Sequence, residues 1–530
     1  MAGTSASTKE VLLGAIAQMV GTVGYDAVIV CTSNVAQEEY WQARLEATRG
    51  QAAKEGALIL AVHEDWLGDG AGNGLGTLYA YTKARAKAQS SFGIDLDERL
   101  RSGWAVGMFH TAGKGTRLAP LPGSENNNKP GVKLPTIVSV NGENKELTIL
   151  EAVIRQTNSY APVRKGRCSV FWGDQVFIPS AGTPASGAHH ADILACLGDM
   201  PSKEEWAAKG LDKYGLIAVN ESGNAAQVEK VSFDTATELL STFGSIKRVG
   251  PSLGSFSVSA ALLFAMLEEF KTEVEAKLAK LDSDPHFWMP FTLPEAAYVK
   301  IMTQKGVAEA ESGAHYKRMA SFKDKFYAAQ KCEAMLGCID AGTECYWWDY
   351  GQLKLFQKNT LLATGDSDEA EALRRFLGTS DRRQGTTGLA DIDAGSVVLA
   401  SKISAGSVRR SVCTNTNCDE AVISDTVLMN VTAKKVTGNN CILYNVVDDT
   451  EAGLSLPDGT VRADVYLPGQ PKIIVMSTLD TDGGKAWKVV LEGNDKSFED
   501  VYKTNGPLDI SECQKVLVLA KQKVLQTLKG

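Results

Sequence analysis

The chain has 530 residues, of which 44% are hydrophobic and 22% are charged, and its formal net charge is −8. This length predicts about two to four structural units, with enough apolar residues for a sizeable core. The acidic balance argues against a broad nucleic-acid surface, which usually needs a basic face. It does not argue against a small anionic ligand, because a few local Lys and Arg residues are enough to bind one.

Location is indicated by what the sequence lacks. No stretch of about 20 apolar residues is present, so we expect no membrane span. The opening residues MAGTSASTKE lack the basic-then-apolar layout of a secretory signal. Ten cysteines are scattered from Cys31 to Cys513 without metal-ligand spacing, a pattern that favours unpaired thiols in a reducing compartment. We expect a cytoplasmic protein with neither a membrane nor a nucleic-acid partner.

Strand and helix patterns alternate through the first part of the chain. Residues 25–34 read as a buried strand, 38–56 as a helix and 57–65 as the next strand. Further strands are predicted at 104–110 and 168–178. This βαβα pattern is typical of a mostly parallel sheet covered by helices on both faces, and it predicts an α/β fold.

The pattern changes twice further along the chain. A helical segment is predicted over 260–340, and after about residue 385 short β-rich segments with turns replace the helices. Their apolar residues recur at spacings near six, loosely like the coils of a parallel β-helix, with a β-sandwich as the alternative. We therefore predict one domain over 1–360, a linker over 361–388 and a β-rich domain over 389–530 that ends in a helix.

The strongest motif is HTAGKGTRLAPLPGSENNNKPGVKLP (110–135), which directly follows a strand. A Gly-rich turn after a strand lets backbone N–H groups approach phosphates closely, because glycine has no Cβ to block them. Arg117 is placed where a guanidinium clamps phosphate groups and neutralises developing charge. Lys129 and Lys133 add positive charge beyond the Asn-rich loop. The turn residues that we predict to bind a nucleotide are Gly113, Gly115 and Thr116.

This motif resembles the signature of the sugar-1-phosphate nucleotidyltransferases, usually GxGTRL, a short loop and then PKP. The resemblance implies an enzyme that transfers a nucleotidyl group to a sugar 1-phosphate and releases pyrophosphate. It also implies a Rossmann-like nucleotidyltransferase core with a GT-A-like mixed sheet. In the family, the Arg and the Lys hold the triphosphate and stabilise the transition state. Arg117 matches the Arg, while Lys129, which precedes Pro130, is our choice for the Lys and Lys133 is the alternative.

Two later segments resemble the family's Mg²⁺ site. FWGDQVF (171–177) is similar to the GDN-F segment, whose Asp ligates the metal, and this match assigns Asp174. YWWDYGQ (346–352) resembles the W-x-D-x-G-T segment and assigns Asp349, although Gln352 replaces the usual Thr. Two carboxylates suit Mg²⁺, a hard cation that prefers oxygen ligands.

Two other segments resemble the part of the family that contacts the sugar phosphate. YGLIAVNESGNAAQVEKVS (214–232) looks like the YG-V…EKP stretch, with Val231 in place of the proline. PSLGSFSVS (251–259) takes the place of the sugar-contacting segment before the next helix. The residues that these matches assign are Gly215, Glu229, Lys230 and Gly254.

The N-terminal order of motifs narrows the resemblance. GDGAGNGLGTLYAYTKA (68–84) precedes the GKGTRL segment, and the intervening strand ends in His110. This order looks like that of fucose-1-phosphate guanylyltransferases. The segment is also similar to the GNGG-LY loop of UDP-N-acetylhexosamine pyrophosphorylases, which faces the nucleotide base. We expect a loop whose backbone amides reach base or phosphate, and the residues assigned to it are Gly72, Gly74, Gly76 and Thr77.

The resemblance thus implies a GDP-fucose pyrophosphorylase-like enzyme that uses GTP or UTP, a sugar 1-phosphate and Mg²⁺. One alternative is a UDP-sugar pyrophosphorylase that acts on a hexose or N-acetylhexosamine 1-phosphate. The other is a non-catalytic regulatory homologue that binds a nucleotide sugar. Base and sugar stay open because the fucose enzymes usually have S-x-R where this chain has GTRL. A homo-oligomer formed through the C-terminal domain is also open.

Overall fold

The computed structural model describes residues 7–21, 23–66, 68, 70–181, 189–241 and 243–528. The strands before residue 350 are β1 (Ala27–Thr32), β2 (Leu58–His63), β3 (Ala105–His110), β4 (Lys133–Val140), β5 (Glu143–Thr148), β6 (Arg167–Trp172), β7 (Gln175–Ile178), β8 (Ala191–Ala195), β9 (Gly215–Asn220), β10 (Ala225–Glu229), β11 (Ile246–Ser259), β12 (Leu336–Asp340) and β13 (Tyr346–Asp349).

Helices flank these strands along the chain. They are α1 (Thr8–Met19), α2 (Val35–Ala47), α3 (Gly72–Phe92), α4 (Leu96–Arg101), α5 (Ile149–Thr157), α6 (Lys203–Ala208), α7 (Phe233–Leu240), α8 (Ala260–Glu269), α9 (Lys271–Ala276), α10 (Met289–Thr292), α11 (Glu295–Gln304), α12 (Glu309–Gln330), α13 (Leu353–Leu362) and α14 (Asp368–Leu377). The helices α8 to α12 lie within the segment predicted as helical over 260–340, whose last residues form the strand β12 instead.

The central sheet is mixed. Its order is β10-β9-β11-β6-β3-β1-β2, with β8 pairing β11 and β12 pairing β8. The run β6-β3-β1-β2 is parallel, as the alternating pattern predicted. The strand β11 runs antiparallel to β6, β8 and β9, which the sequence pattern did not indicate. The chain is therefore an α/β protein with a mixed sheet.

Both faces of the parallel run are covered by apolar side chains. On β1, Val28 and Val30 belong to one buried cluster, whereas Ala27 and Ile29 belong to a cluster on the opposite face. Successive side chains of a strand point to opposite faces, so a strand covered on both sides reads as a continuous apolar run. This arrangement places the polar ends of these strands, rather than their middles, within reach of a ligand.

The segment predicted as a linker, 361–388, contains the packed helix α14. Ser367 caps the start of this helix, and Gly378 ends it in the left-handed conformation. Leu373 and Phe376 are buried in the same apolar cluster as β1 residues. The apolar residues of α14 lie among many charged ones, and for this reason the segment was predicted to be a polar linker.

Short strands follow α14 and alternate between two sheets. One sheet contains β14 (Asp391–Ile392), β16 (Lys402–Arg409), β18 (Asn417–Ser424), β20 (Thr432–Asn439), β22 (Val447–Asp448) and β23 (Leu454–Ser455). The other contains β15 (Val397–Leu399), β17 (Val412–Thr414), β19 (Val427–Met429), β21 (Ile442–Tyr444), β24 (Thr460–Val465) and β25 (Ile473–Thr478). The helices α15 (Phe498–Asn505) and α16 (Ile510–Leu525) follow, and α16 confirms the terminal helix.

The repeat of this region is longer than the six-residue spacing that the sequence suggested. Apart from β25, which pairs antiparallel with β24, the paired strands are parallel. Equivalent positions bond at a separation of 15 residues, as where the Ser411 N–H donates to Ser396 Oγ. Asn415, Asn430 and Asn445 stand at one turn of each coil, all with positive φ. Asn tolerates that conformation better than most residues with a side chain, so these positions mark the repeat.

The β-rich region packs directly against the first part of the chain. The buried hydroxyl of Tyr444 donates to Glu125 Oε1 at 2.6 Å, and Ser124 Oγ donates to the carbonyl of Asp464 at 2.5 Å. Leu134, Val397 and Val412 belong to one apolar cluster. Among the described residues, no helix has both the length and the apolar character needed to cross a bilayer.

Candidate active site

Polar residues gather where the parallel strands end. Because β2, β1, β3 and β6 are parallel neighbours, their carboxyl ends meet at one edge of the sheet. Glu64 follows β2, His110 ends β3, and Asp174 lies two residues beyond the end of β6. Ligands of open α/β sheets usually bind in the crevice at this edge. A cavity of about 380 Å³ lies here and is lined by all three residues.

The shortest contact in this cavity joins the predicted catalytic lysine to a predicted metal ligand. Lys129 Nζ lies 2.5 Å from Asp174 Oδ2, and both side chains are about four-fifths buried, with 18% and 20% exposed. Gly115, in the predicted nucleotide turn, has φ +64°, and a Cβ there would lie 3.0 to 3.1 Å from the Lys129 side-chain carbons. The glycine therefore leaves the space that the Lys129 side chain occupies.

Asp349 reaches the same place through strand pairing. The strand β13 runs antiparallel to β7, which sets Asp349 opposite Gln175, the neighbour of Asp174. Gly351 lies between the two carboxylates, because a Cβ on it would stand 3.0 Å from Asp174 Oδ2 and 3.0 Å from Asp349 Oδ1. The N–H of Gly351 donates to Asp349 Oδ1 at 2.7 Å.

The pKa of Asp349 is shifted by burial and by the charged groups around it. Burial raises this pKa above its usual range, and the neighbouring charge of Asp174 raises it further. The Gly351 N–H and the positive charges of Arg117 and Lys129 oppose that rise. The structure thus brings Lys129, Asp174 and Asp349 together, and the exposed Arg117 is close enough for its charge to act on Asp349.

These two carboxylates fit a magnesium ion that is completed by substrate oxygens. No group of three or more His, Cys, Asp or Glu side chains within the described ranges is arranged to hold a metal. Mg²⁺ is commonly bound through one or two carboxylates together with substrate phosphates and water. Asp174 and Asp349, on either side of Gly351, meet that requirement.

The glycine turn between β3 and Arg117 is open to a ligand. Gly113 has φ +132°, and a Cβ on it would meet nothing within 4 Å among the described atoms. Thr116 and Arg117 form a short 3₁₀ turn, and Arg117 is exposed. From the C-terminal region, Gly483 lies against the Thr116 carbonyl, so that region closes one side of the turn.

The second glycine segment is helical rather than a loop. Gly72, Gly74, Gly76 and Thr77 all lie in the first turns of α3. The Gly74 N–H donates to the Leu281 carbonyl at 2.9 Å, and a Cβ on Gly74 would lie 2.8 Å from that oxygen. The loop prediction was wrong here. Gly72 and Gly74 have no side chain because the Leu281 carbonyl, which follows α9, packs closely against them. Gly72 still lines the cavity, and its neighbour Asn73 does too.

Thr77 fixes which ring nitrogen of His110 carries the proton. Its hydroxyl donates to the Asn73 carbonyl at 2.7 Å and lies 2.9 Å from His110 Nε2. With its own proton directed to Asn73, Thr77 accepts a hydrogen bond from His110 Nε2–H. Desolvation lowers the pKa of His110 to about 4. A neutral imidazole therefore faces the cavity.

The predicted sugar-phosphate residues fall into two places. Glu229 pairs across strands with Gly215, and Lys230 Nζ lies 3.2 Å from Glu229 Oε1. These three residues are not among the described lining of the cavity. Gly254 has φ +73°, and a Cβ on it would lie 2.6 Å from Trp172 Nε1, so it supports the cavity wall.

Lys133 is separated from the acidic pair. Its ammonium bonds Glu125, its backbone N–H donates to the Tyr444 hydroxyl at 2.9 Å, and its ammonium lies 5.2 Å from the centre of the Tyr444 ring. Of the two lysines, Lys129 is the one that contacts Asp174.

Sequence reasoning missed some of the residues that line the cavity. Glu64 and Trp172 stand at strand ends of the same sheet edge, a signal that the sequence contains. Asn73 and Lys280 also line the cavity. Lys280 comes from the helical segment, and no local pattern connects it with the strands.

Comparisons with known proteins add no family to this geometry. No protein-family model matches the chain, and a search of curated proteins returned no significant match. The site is therefore interpreted from its own residues.

Proposed function

We propose that the chain is a sugar-1-phosphate nucleotidyltransferase that makes a nucleoside-diphosphate sugar and pyrophosphate from GTP or UTP and a sugar 1-phosphate. The observation that carries this proposal is the grouping of Lys129, Asp174 and Asp349 at the sheet edge. Lys129 and Asp174 line the cavity, whereas Asp349 and Arg117 are not in its described lining, and the charge of Arg117 acts on Asp349. Cations suited to phosphate and carboxylates suited to Mg²⁺ in one group are what the reaction requires.

The proposed folds of the two regions are consistent with that function. We propose a Rossmann-like core of the GT-A type, which the parallel run β2-β1-β3-β6 and its ligand-facing edge support. For the C-terminal region we propose a β-helix, which the 15-residue repeat and the two facing parallel sheets support.

The proposed reaction is an in-line exchange at phosphorus. A phosphate oxygen of the sugar 1-phosphate bonds to the α-phosphorus, while the bond from that phosphorus to the oxygen bridging the β-phosphorus breaks. Pyrophosphate leaves with the electron pair. The attacking phosphate is already ionised near neutral pH, so the reaction needs no general base. Arg117 and Lys129 stabilise the charge on the departing pyrophosphate, so catalysis comes from positioning and electrostatics.

Mg²⁺ fits the acidic pair and would be held by Asp174 and Asp349. When bound, the ion neutralises charge on the phosphates. The two carboxylates can serve this role because both approach Gly351, whose lack of a side chain lets them come close together. After burial, the nearby negative charge of Asp174 also raises the pKa of Asp349.

The sugar side of the site is proposed at Glu229 and Lys230. Lys230 has an exposed ammonium that can contact a phosphate, with 60% of its side chain exposed. Asp284, from the helical segment, lies near Glu229, and burial and the charge of Glu229 raise the pKa of Asp284 to about 7. Carboxyl groups beside a cation suit a ligand with both hydroxyls and a phosphate.

Replacement of Arg117 tests this proposal against a matched control in the same loop. In a pyrophosphate-release assay, we expect Arg117→Ala to lower turnover by about two orders of magnitude or more. Lys114→Ala removes an equal charge three residues away and should lower turnover far less, since Lys114 lies over the Tyr502 ring. Equal turnover in the Arg117 variant and the unchanged chain would remove Arg117 from the mechanism.

A further inference from the structure

A second cavity, of about 310 Å³, lies between the first part of the chain and the C-terminal region. Its wall is formed by α2, the β4–β5 hairpin and α16, and Asn415 and Asn430 contribute from the turns of the coils. Among the described residues, the linings of this cavity and of the candidate active site have no member in common. We call it the interdomain cavity.

One oxygen of a buried carboxylate in this wall has no hydrogen-bond donor among the described residues. Glu146 on β5 is 4% exposed, and its Oε1 has no hydrogen-bond partner among the described residues. Arg44 donates to the backbone carbonyl of Glu146 at 2.8 Å, not to its carboxylate. A buried polar atom without a partner is costly, so Glu146 Oε1 is a site for a donor that a ligand would bring.

A partly buried lysine faces the same cavity from α16. The ammonium of Lys521 donates to the neutral side-chain oxygen of Asn430. Burial lowers the pKa of Lys521 to about 8, while the charge of Glu146 opposes this shift and the charges of Lys133 and Lys145 favour it. Lys521, Lys133 and Lys145 thus all contribute positive charge to the wall of the interdomain cavity.

The other charges in the wall differ in how firmly they are neutralised. Lys133 is bonded to the buried Glu125, and Arg44 is bonded to the buried Glu151 at 2.8 Å, so both cations have fixed partners. Lys145 lies 2.7 Å from Glu143, whose side chain is 71% exposed. Such an exposed pair is worth little, so Lys145 can exchange its partner for a ligand at small cost.

We propose that the interdomain cavity binds a phosphate monoester of a small hydroxylated molecule. Its phosphate lies on Lys521 and Lys145, and one of its hydroxyls donates to Glu146 Oε1. A phosphate dianion neutralises two ammonium groups and accepts several hydrogen bonds. Inorganic phosphate can contact Lys521 and Lys145 in the same way, but it has no polyol hydroxyl for Glu146. Comparing the two ligands therefore distinguishes binding of a phosphate ester from binding of free phosphate.

The test is calorimetric binding to the full-length chain. Because the candidate active site also attracts phosphate esters, titrations use a Lys129→Met background, with glycerol 3-phosphate and inorganic phosphate as probes. We expect glycerol 3-phosphate to bind in this background, and a second substitution, Lys521→Met, to weaken it at least about tenfold. Lys521→Arg should retain most of the affinity, because it keeps the charge.

Glu146→Leu gives a second, independent readout. We expect this substitution to weaken the binding of glycerol 3-phosphate more than the binding of inorganic phosphate. We also expect it to raise the thermal unfolding midpoint of the ligand-free chain, because it removes a buried carboxylate oxygen that has no partner among the described residues. Lys145→Gln serves as the cation variant if Lys521→Met does not fold. Absence of binding by both probes, or binding that is unaffected by the Lys521 and Lys145 variants, would overturn the proposal.

Discussion

Adding one methyl group at Gly351 tests the acidic pair without changing any charge. A Cβ at this position stands 3.0 Å from one oxygen of Asp174 and 3.0 Å from one oxygen of Asp349. Gly351 is not among the residues with positive φ, so Gly351→Ala brings little backbone strain and acts through contact. The variant therefore pushes on both proposed Mg²⁺ ligands at once.

The size of the effect follows from these distances. A contact of 3.0 Å to carbon is a few tenths of an ångström too short, so each carboxylate must move by about that amount. Metal–ligand distances are held to within about 0.2 Å, and Mg²⁺ demands near-ideal octahedral geometry. We therefore expect Gly351→Ala to weaken Mg²⁺ activation at least about tenfold, a loss typical of displaced metal-site neighbours.

The assay is a Mg²⁺ titration of pyrophosphate release. We expect the half-activating Mg²⁺ concentration to rise in Gly351→Ala, with much of the turnover restored at high Mg²⁺. Gly14→Ala is the matched control, because a Cβ on Gly14, in α1, would meet no described atom within 4 Å. An unchanged Mg²⁺ dependence in Gly351→Ala would refute the assignment of Asp174 and Asp349 as the metal ligands.

Three further predictions address individual side chains. Lys129→Met should lower turnover by about two orders of magnitude, whereas Lys133→Met, on the far side of the loop, should lower it much less in the same pyrophosphate-release assay. Because the pKa of His110 is lowered to about 4, its stabilising contribution is present above about pH 6.5 and is lost as the pH falls toward 4. Between pH 8 and pH 4.5, His110→Gln should therefore lose less unfolding free energy than the unchanged chain, by up to about 3 kcal/mol, as measured in urea melts. An equal loss in the two proteins would contradict this. Tyr444→Phe should destabilise the chain by about 1–3 kcal/mol, since it removes a donor from a buried carboxylate and an acceptor from a backbone N–H. Tyr214→Phe is its control, because Tyr214 is 46% exposed, and equal unfolding free energies for the two variants would contradict the expectation.

The edge of the parallel sheet could be predicted from sequence because it depends on local patterns. Continuous apolar runs marked β1, β2, β3 and β6, and parallel strands bring their ends together. Asp174 was assigned by its resemblance to a known motif, and both it and the turn containing Gly113 lie at the strand ends where that rule places ligands. Asp349 is distant in sequence, and only the resemblance to a known motif associated it with Asp174. The pairing of β13 with β7 supplies the physical reason.

Other features depend on contacts that no local pattern records. The glycines of α3 looked like a phosphate loop, but their lack of side chains admits Leu281 from the helical segment. Lys133 was the alternative to Lys129 in the same motif, and it bonds instead with Glu125 and with Tyr444, the latter more than 300 residues away in sequence. The 15-residue repeat was hidden because only the turn positions, such as Asn430, mark it.

Pyrophosphate release measured across four nucleoside triphosphates and a panel of sugar 1-phosphates, with Mg²⁺, tests the proposed function most directly. We predict turnover with GTP or UTP and at least one sugar 1-phosphate, with abolition by EDTA and loss in Lys129→Met. Turnover with UTP and a hexose or N-acetylhexosamine 1-phosphate would select the UDP-sugar alternative. Binding of a nucleotide sugar without pyrophosphate release from any pair would contradict an enzymatic role for the grouping of Arg117, Lys129, Asp174 and Asp349.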